Sequence, residues 1–363
     1  MQFKSLVAGT VFFAGITPAA IAHDEGPQKS HAMGHVPIGV MADHRHKTGE
    51  WMVSYRYMYM DMSGSRDGTD ALSADDIATS VPNRFFGDPM QPPTLRVVPT
   101  EMPMQMHMIG GMYGLTDRIT LMAMGSCIAK EMDHVTYAGG MGTAVLGDFT
   151  TEVEGVGDTR LGAIIGLDDS SVAEQQLNIS AVISLPTGSI TETDDILTPM
   201  GMRPTVRLPY PMQLGSGTFD LKLGLTGTQR FQNDWGIGGQ VSTIIRLDEN
   251  DEDYSLGDVL EATVWAAYEP APWISFSGRV KAKSVGQIDG IDPIIVAPVQ
   301  TADPDNQGGD TIEALLGVNL LGQSGAAKGH RLAAEIGLPL YRDLNGPQLE
   351  TDLTVTLGWQ KAF

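Results

Sequence analysis

The sequence predicts an all-β chain, a transmembrane antiparallel up-and-down β-barrel of about 12 strands. Three observations predict it. An export signal opens the chain. Apolar and polar residues then alternate with a period of two over much of its length, and the last residue is an aromatic that ends such a stretch.

The signal comes first. Lys4 supplies a positive start, Leu6 to Ile16 an apolar run, and Ala20-Ile21-Ala22 a small-x-small cleavage site. Residues 1–22 therefore read as a signal peptide, with the mature chain beginning at His23. The apolar run is too short for a membrane anchor, and no later stretch approaches the ~20 apolar residues of a membrane helix. That excludes a helical membrane protein and leaves a barrel, whose strands never produce such a run.

Composition narrows the function. The net charge is -21, and loss of Lys4 leaves 22 basic against 44 acidic residues, or -22. Such acidity excludes a nucleic-acid partner held by phosphate contacts and argues against docking on anionic lipid. A single cysteine, Cys127, makes no intrachain disulfide. It is expected to be a small buried or lipid-facing residue rather than a thiol or metal ligand.

The strands follow in order, at approximately 50–62, 102–114, 118–128, 159–167, 175–186, 217–229, 235–247, 257–269, 273–284, 311–321, 330–340 and 351–363. In the last, Thr351, Leu353, Val355, Leu357, Trp359, Lys361 and Phe363 oppose Asp352, Thr354, Thr356, Gly358, Gln360 and Ala362, and Lys361 breaks the apolar face at the expected periplasmic rim. A closing strand with a terminal aromatic resembles the insertion signal of outer-membrane barrels. Upstream, Leu177, Ile179 and Ile183 oppose Asn178, Ser180 and Ser184, and Phe219, Leu221 and Leu223 oppose Asp220, Lys222 and Gly224.

Linkers near 114–118, 167–175, 229–235, 269–273 and 321–330 are short. Those at 63–101, 129–158, 186–216 and 285–310 are long and occupy the alternate slots, together with 248–256 and 341–349. Short periplasmic turns and long outer loops suit a barrel with both termini in the periplasm. Tyr113, Trp235, Tyr268, Trp273, Trp359 and Phe363 fall beside the short turns, as interfacial aromatics do. Residues 49–363 thus form the barrel. Residues 23–48, rich in His and Met, form a periplasmic segment, mobile or plug-like. The expected place is the outer membrane of a Gram-negative bacterium, with membrane lipid and lipopolysaccharide as partners. No segment for a periplasmic partner is legible. Arg56, Lys222, Glu261, Arg279, Lys281, Lys283, Glu313 and Glu335 are expected to face the lumen, either as a salt-bridge network or as a lining that selects solutes.

Three local motifs are Gly114-Leu115-Thr116-Asp117-Arg118, Gly155-Val156-Gly157-Asp158-Thr159 and Leu185-Pro186-Thr187-Gly188-Ser189. With the barrel pattern, the chain resembles the outer-membrane putative transporters of the meta-pathway of phenol degradation. That resemblance implies passage of small aromatic molecules. The Met- and His-rich beginning is similar to a subgroup of such barrels associated with copper handling.

The candidate site rests on a skewed distribution. Of 20 Met, 16 lie between Met33 and Met141, and five His fall within His23 to His46. His23, His31, Met33, His35, His44 and His46 give mixed donors in the first segment, and imidazole with a free amine suits Cu(II). Met58, Met60 and Met62, then Met102, Met104, Met106, Met108 and Met112, then Met122 and Met124, recur at every second position. They form ladders of thioethers that suit Cu(I). The facing of the Met102–Met112 stretch stays open, because Glu101, Gln105 and His107 occupy its other face together with Ile109 and Tyr113. Met132-Asp133-His134 reads as an entry site in an outer loop. The acidic run 248–253 reads as a solvated loop rather than a Ca²⁺ site. No matched acid–base set is present and His330 falls beside a periplasmic turn, so the protein is not expected to be an enzyme. Transport or binding of a soft metal ion, copper first, is the leading expectation. No cofactor is required beyond that ion. The alternative is a passive channel for small aromatic or hydrophobic solutes.

Overall fold

A computed structural model describes residues 31–88, 91–168 and 174–363. The expected signal peptide and His23 lie outside the described residues. The strands are β1 (Trp51–Gly68), β2 (Met104–Thr116), β3 (Ile119–Tyr137), β4 (Val145–Val156), β5 (Thr159–Gly166), β6 (Gln175–Leu185), β7 (Asp220–Arg230), β8 (Trp235–Arg246), β9 (Val259–Ala271), β10 (Ile274–Val285), β11 (Gly309–Leu321) and β12 (His330–Ala362). Each pairs antiparallel with its neighbours. β4 and β5 are successive pieces along one edge of β3. β12 doubles back at Gly346, whose positive φ of 73° suits glycine. Its first part pairs with β11 and its second with β1. Taking β4 with β5 as one position and β12 as two leaves a closed ring of twelve.

The faces decide between a membrane barrel and a water-soluble sandwich. Leu177, Ile179, Ile183, Leu223, Leu225, Val241, Val264 and Leu316 point outward and are exposed, while Asn178, Ser180, Ser184, Thr226, Gln240 and Thr263 point inward and are buried. A water-soluble sheet does the reverse, burying its apolar face. A continuous apolar outer surface of this size is stable only against lipid. Aromatics gather at the short-turn end, where Trp51 lies 4.6 Å from Tyr113 and Trp235 lies 5.1 Å from Tyr268 between ring centres. The chain therefore has the architecture of an outer-membrane barrel.

Several stretches expected to be loops are partly strand: β1 runs on to Gly68, and short strands lie at Asp70–Leu72 and Val97–Glu101. β3 runs on to Tyr137 and β4 pairs with it, so most of 129–158 is a hairpin. Residues 341–349 belong to the doubled β12. In β3 the alternation persists past Cys127, but its outward residues become Glu131 and Asp133, opposed to Met132, His134 and Thr136. A polar outward face reads as loop in sequence, although it is strand beyond the apolar band. Met132-Asp133-His134 is accordingly not a loop site: Met132 and His134 point inward, Asp133 outward, and His134 stacks on Phe149 at 4.5 Å.

Over the outer mouth, the 186–219 and 286–308 excursions fold back and pack together. Phe149, Leu197, Tyr210, Tyr254, Ile288 and Ile295 form one buried cluster there.

Candidate functional site: the lumen and the segment inside it

The thioether ladders are the first part of the site. Inward positions on β1 are Met52, Arg56, Met58, Met60 and Met62, and on β2 they are Met104, Met106, Met108 and Met112. The register sets Met58 against Met106, Met60 against Met104 and Met52 against Met112. On β3, Met122 lies opposite Met112, and Met124 opposite Gly110. The facing that the sequence left open is settled, and all the β2 methionines turn inward. His107 does not join them. It is exposed on the outer face, where its Nδ1 hydrogen-bonds the Tyr55 hydroxyl at 2.8 Å. Cys127 is also outward and exposed. Further along, Met102, Ile128, Met132, Val153, Leu208, Met212 and Leu214 close into a buried apolar cluster against Met62, Met104 and Met106.

The second part is the chain before β1. Residues 31–49 enter the lumen from the short-turn end, rise, and return. At entry the Ala32 amide donates to the Pro272 carbonyl and the Met33 amide to Glu269. His31 Nδ1 pairs with Glu269 at 2.5 Å, and the Met33 thioether lies over Gly236. On the way back the His46 amide donates to Thr120 Oγ1 and the Gly49 amide to the Gly114 carbonyl. A segment without regular structure leaves its carbonyls unpaired, and burying them unmet is costly. The barrel supplies the donors. Arg331 donates to Val36, Asn319 to His35, Arg56 to Val40, Gln240 to Met41 and Asn178 to Asp43. Those five residues come from five different strands, so the segment is held from all around the ring.

The lumenal charges divide between plug and wall. Arg56, Lys222, Glu261, Arg279, Lys281, Lys283, Glu313 and Glu335 all lie on inward positions. Arg279 and Glu335 form a buried ion pair beneath Gly39, and Lys281 pairs with Glu313 at 3.0 Å. A Cβ at Gly39 would lie within 3 Å of both Arg279 and Glu335. Gly39→Val is therefore expected to unseat the segment at a cost of about 1–3 kcal/mol. Faster hydrogen exchange of the 35–46 amides, with an unchanged barrel, is the readout, and protection equal to the wild type would contradict this packing.

Three imidazoles meet inside. His35 and His44 lie 5.8 Å apart between ring centres, and His44 and His46 lie 5.0 Å apart. Asp43 Oδ2 accepts from His44 Nδ1 at 2.8 Å, which leaves His44 Nε2 as the lone-pair nitrogen. Burial, and then the neighbouring His44, push the His46 imidazole down to about 4. Burial and then Arg331 hold His35 well below its usual value. Burial works against the Asp43 carboxylate, but His44, Arg56 and Arg331 outweigh it and keep Asp43 well below the usual range.

The outer excursion is tied to the break between β4 and β5. Asp158 accepts from the Gly188 and Ser216 amides at 2.9 Å each, and Thr187 Oγ1 donates to the Gly157 carbonyl. Two of the three resemblance motifs are thus one physical joint. Lys130 Nζ donates to the Pro211 and Gln213 carbonyls at 2.7 and 2.5 Å and holds the excursion against β3. Sequence reasoning did not single out Lys130, Arg331, Asn178, Gln240 or Asn319. Arg331 was within reach, because it shares a strand face with Glu335.

No family model matches the chain, and no curated protein does. Among solved structures it is similar to an outer membrane channel from Pseudomonas putida F1, with TM-score 0.56, 15% identity, and 88% of this chain covering 97% of that one. It is also similar to the Pseudomonas putida toluene transporter TodX, with TM-score 0.45 and 11% identity over 87% of this chain and 90% of that one. A third is the beta domain of a Bordetella autotransporter, with TM-score 0.45 and 13% identity over 88% of this chain and 100% of that one. The first of these shows the fold, an outer-membrane β-barrel.

Proposed function

We propose that the protein is an outer-membrane channel for small, weakly polar organic solutes, closed from the periplasmic side by its own 31–49 segment. One observation carries the reading. On the inward faces of β1, β2 and β3 thioethers predominate from Met52 and Met112 to Met62 and Met132, interrupted by Ser54 and Arg56 on β1 and by Ser126 and Lys130 on β3, while the rest of the named lumenal charge lies across from them on β7 to β12. Thioether chains are flexible and apolar, so such a wall accommodates ring-shaped or branched solutes without a fixed pocket. Likeness to an outer membrane channel supports the reading at the level of the fold. The copper reading keeps one specific support, the three imidazoles inside the lumen.

The two readings part on the wall methionines. Uptake of a monocyclic aromatic into vesicles carrying the protein is expected to change little when Met58 and Met106 both become Leu, because the wall stays apolar. Glu at both positions is expected to slow it roughly tenfold, since each carboxylate adds a polar group to an apolar path. Uptake no faster than in bare lipid vesicles, both with and without residues 31–46, would overturn the channel.

A further inference from the structure

We propose that the lumenal segment carries a metal site, in which His35, His44 and His46, beside the thioethers of Met41, Met112 and Met124, bind one soft transition-metal ion of the Cu(I) or Ag(I) class. This goes beyond the channel reading and stands independently of it.

The first ground is unmet hydrogen bonding. His35 Nδ1, His44 Nε2 and His46 Nε2 are all buried without a hydrogen-bond partner. Buried polar nitrogens are almost always satisfied, and three orphans in adjoining rings are costly unless something else takes their lone pairs. The surroundings make this sharper, because the same segment has its carbonyls individually met by Arg331, Asn319, Arg56, Gln240 and Asn178. The barrel satisfies the backbone of this segment and leaves these imidazoles alone.

Spacing is the second ground. Two imidazoles on one ion, with bonds of about 2.0–2.1 Å in a tetrahedral arrangement, place their ring centres roughly 5 Å apart. The observed separations are 5.0 and 5.8 Å. The rings meet edge to face, and among the described residues no three His, Cys, Asp or Glu already converge on one point. Binding therefore adds ring rotation to a backbone already in place. The Asp43 carboxylate on His44 Nδ1 is the outer-shell partner that fixes a ligating imidazole and raises its basicity.

Donor chemistry selects the ion. His44 and Asp43 line a small cavity of about 30 Å³, and the rest of that lining includes Met41, Met52, Met108, Met112, Met122 and Met124. Asp43 is engaged with His44, the Gln360 carbonyl with Arg331 and the Ser54 hydroxyl with Gly110, so the donors left in that lining, beside the Arg56 guanidinium, are thioethers, while the Glu50 carboxylate stands 3.7 Å from His46 on its other nitrogen. Imidazole with thioether is a soft set, which disfavours Ca²⁺ and Mg²⁺ and ranks Cu(I) and Ag(I) first.

The test is an anaerobic titration of the full mature protein with Cu(I) against a chromophoric chelator, repeated with Ag(I). One ion per barrel is expected, with nitrogen and sulfur neighbours in the X-ray absorption spectrum. His44→Ala with His46→Ala should weaken binding roughly tenfold or more, and a variant lacking residues 23–30 should bind as the wild type does. Met112→Leu keeps the packing of the wall, so it serves where the histidine pair fails to insert, and it too should weaken Cu(I). Failure to bind Cu(I), or affinity unchanged in the His44 and His46 variant, would overturn the site. An ion with nitrogen neighbours alone would overturn its soft character.

Discussion

Removing residues 31–46 is expected to turn a nearly silent barrel into an open pore, with conductance in planar bilayers rising about tenfold or more. The expectation follows from where the segment's partners are. Arg331, Asn319, Arg56, Gln240 and Asn178 spend their donors on its carbonyls, and Glu269 on its entry. Without it these polar groups line a space that water fills at once. The open pore should prefer anions, although the chain carries a net charge of -21. Arg279 is paired with Glu335, Lys281 with Glu313 and Glu269 with Arg230, which leaves Arg56, Arg331, Lys222 and Lys283 against Glu261 at the inward positions named. The acidic excess lies elsewhere, as in the 248–253 run. A reversal potential measured across a salt gradient reads this directly. Cation preference in the opened pore would overturn this account of its lining charge, and conductance unchanged by the deletion would show that something other than 31–49 closes the lumen.

The second large effect concerns the outer surface. Leu316→Arg is expected to cost about 2–4 kcal/mol of folding stability in lipid, the penalty for a guanidinium near the bilayer midplane. Leu316 sits mid-strand on β11, between Gly278 and Ile336, and is 69% exposed. In a water-soluble protein an arginine at so exposed a position would be close to neutral. Denaturant titration in vesicles, followed by the mobility difference between folded and unfolded barrel, separates the two. Leu316→Gln, uncharged, should lose much less. A neutral Leu316→Arg would place this face in water and remove the membrane assignment.

Much of this was legible in the sequence because a period of two is a strong signal wherever one face meets lipid. Leu177 to Leu185, with Val182 as the exception, and Ile274 to Lys283 carry it, and those strands lie within one or two residues of their expected places. The signal failed where both faces are wet or where polarity inverts. Beyond Cys127 the outward residues of β3 are Glu131 and Asp133, and the pattern no longer looks like a membrane strand although the ladder continues. On β2 the outward face holds His107 and Gln105, so hydrophobicity alone gave no facing. Register with β1, which sets Met106 against Met58, supplied it. The candidate donors show the limit of composition. Sequence grouped His31, His35, His44 and His46 by nearness along the chain, and the fold keeps three of them together. The fourth goes to Glu269 because the chain enters the lumen there. Arg331 and Asn178 escaped notice because partnership with a backbone carbonyl leaves no mark in a sequence.

The ring closes by pairing β1 with the far half of β12, from Met52 with Ala362 to Gly68 with Leu344. At the lower end, Trp51 and Phe363 exchange amide bonds across that seam. The plug is the stretch of chain immediately before Trp51, so its root is fixed at the seam itself. The strands that grip it, β1, β6, β8, β11 and β12, all follow it along the chain. The segment's root and the closing pair thus share one place on the ring, so a change that loosens the Trp51–Phe363 contact would free the plug and the seam together.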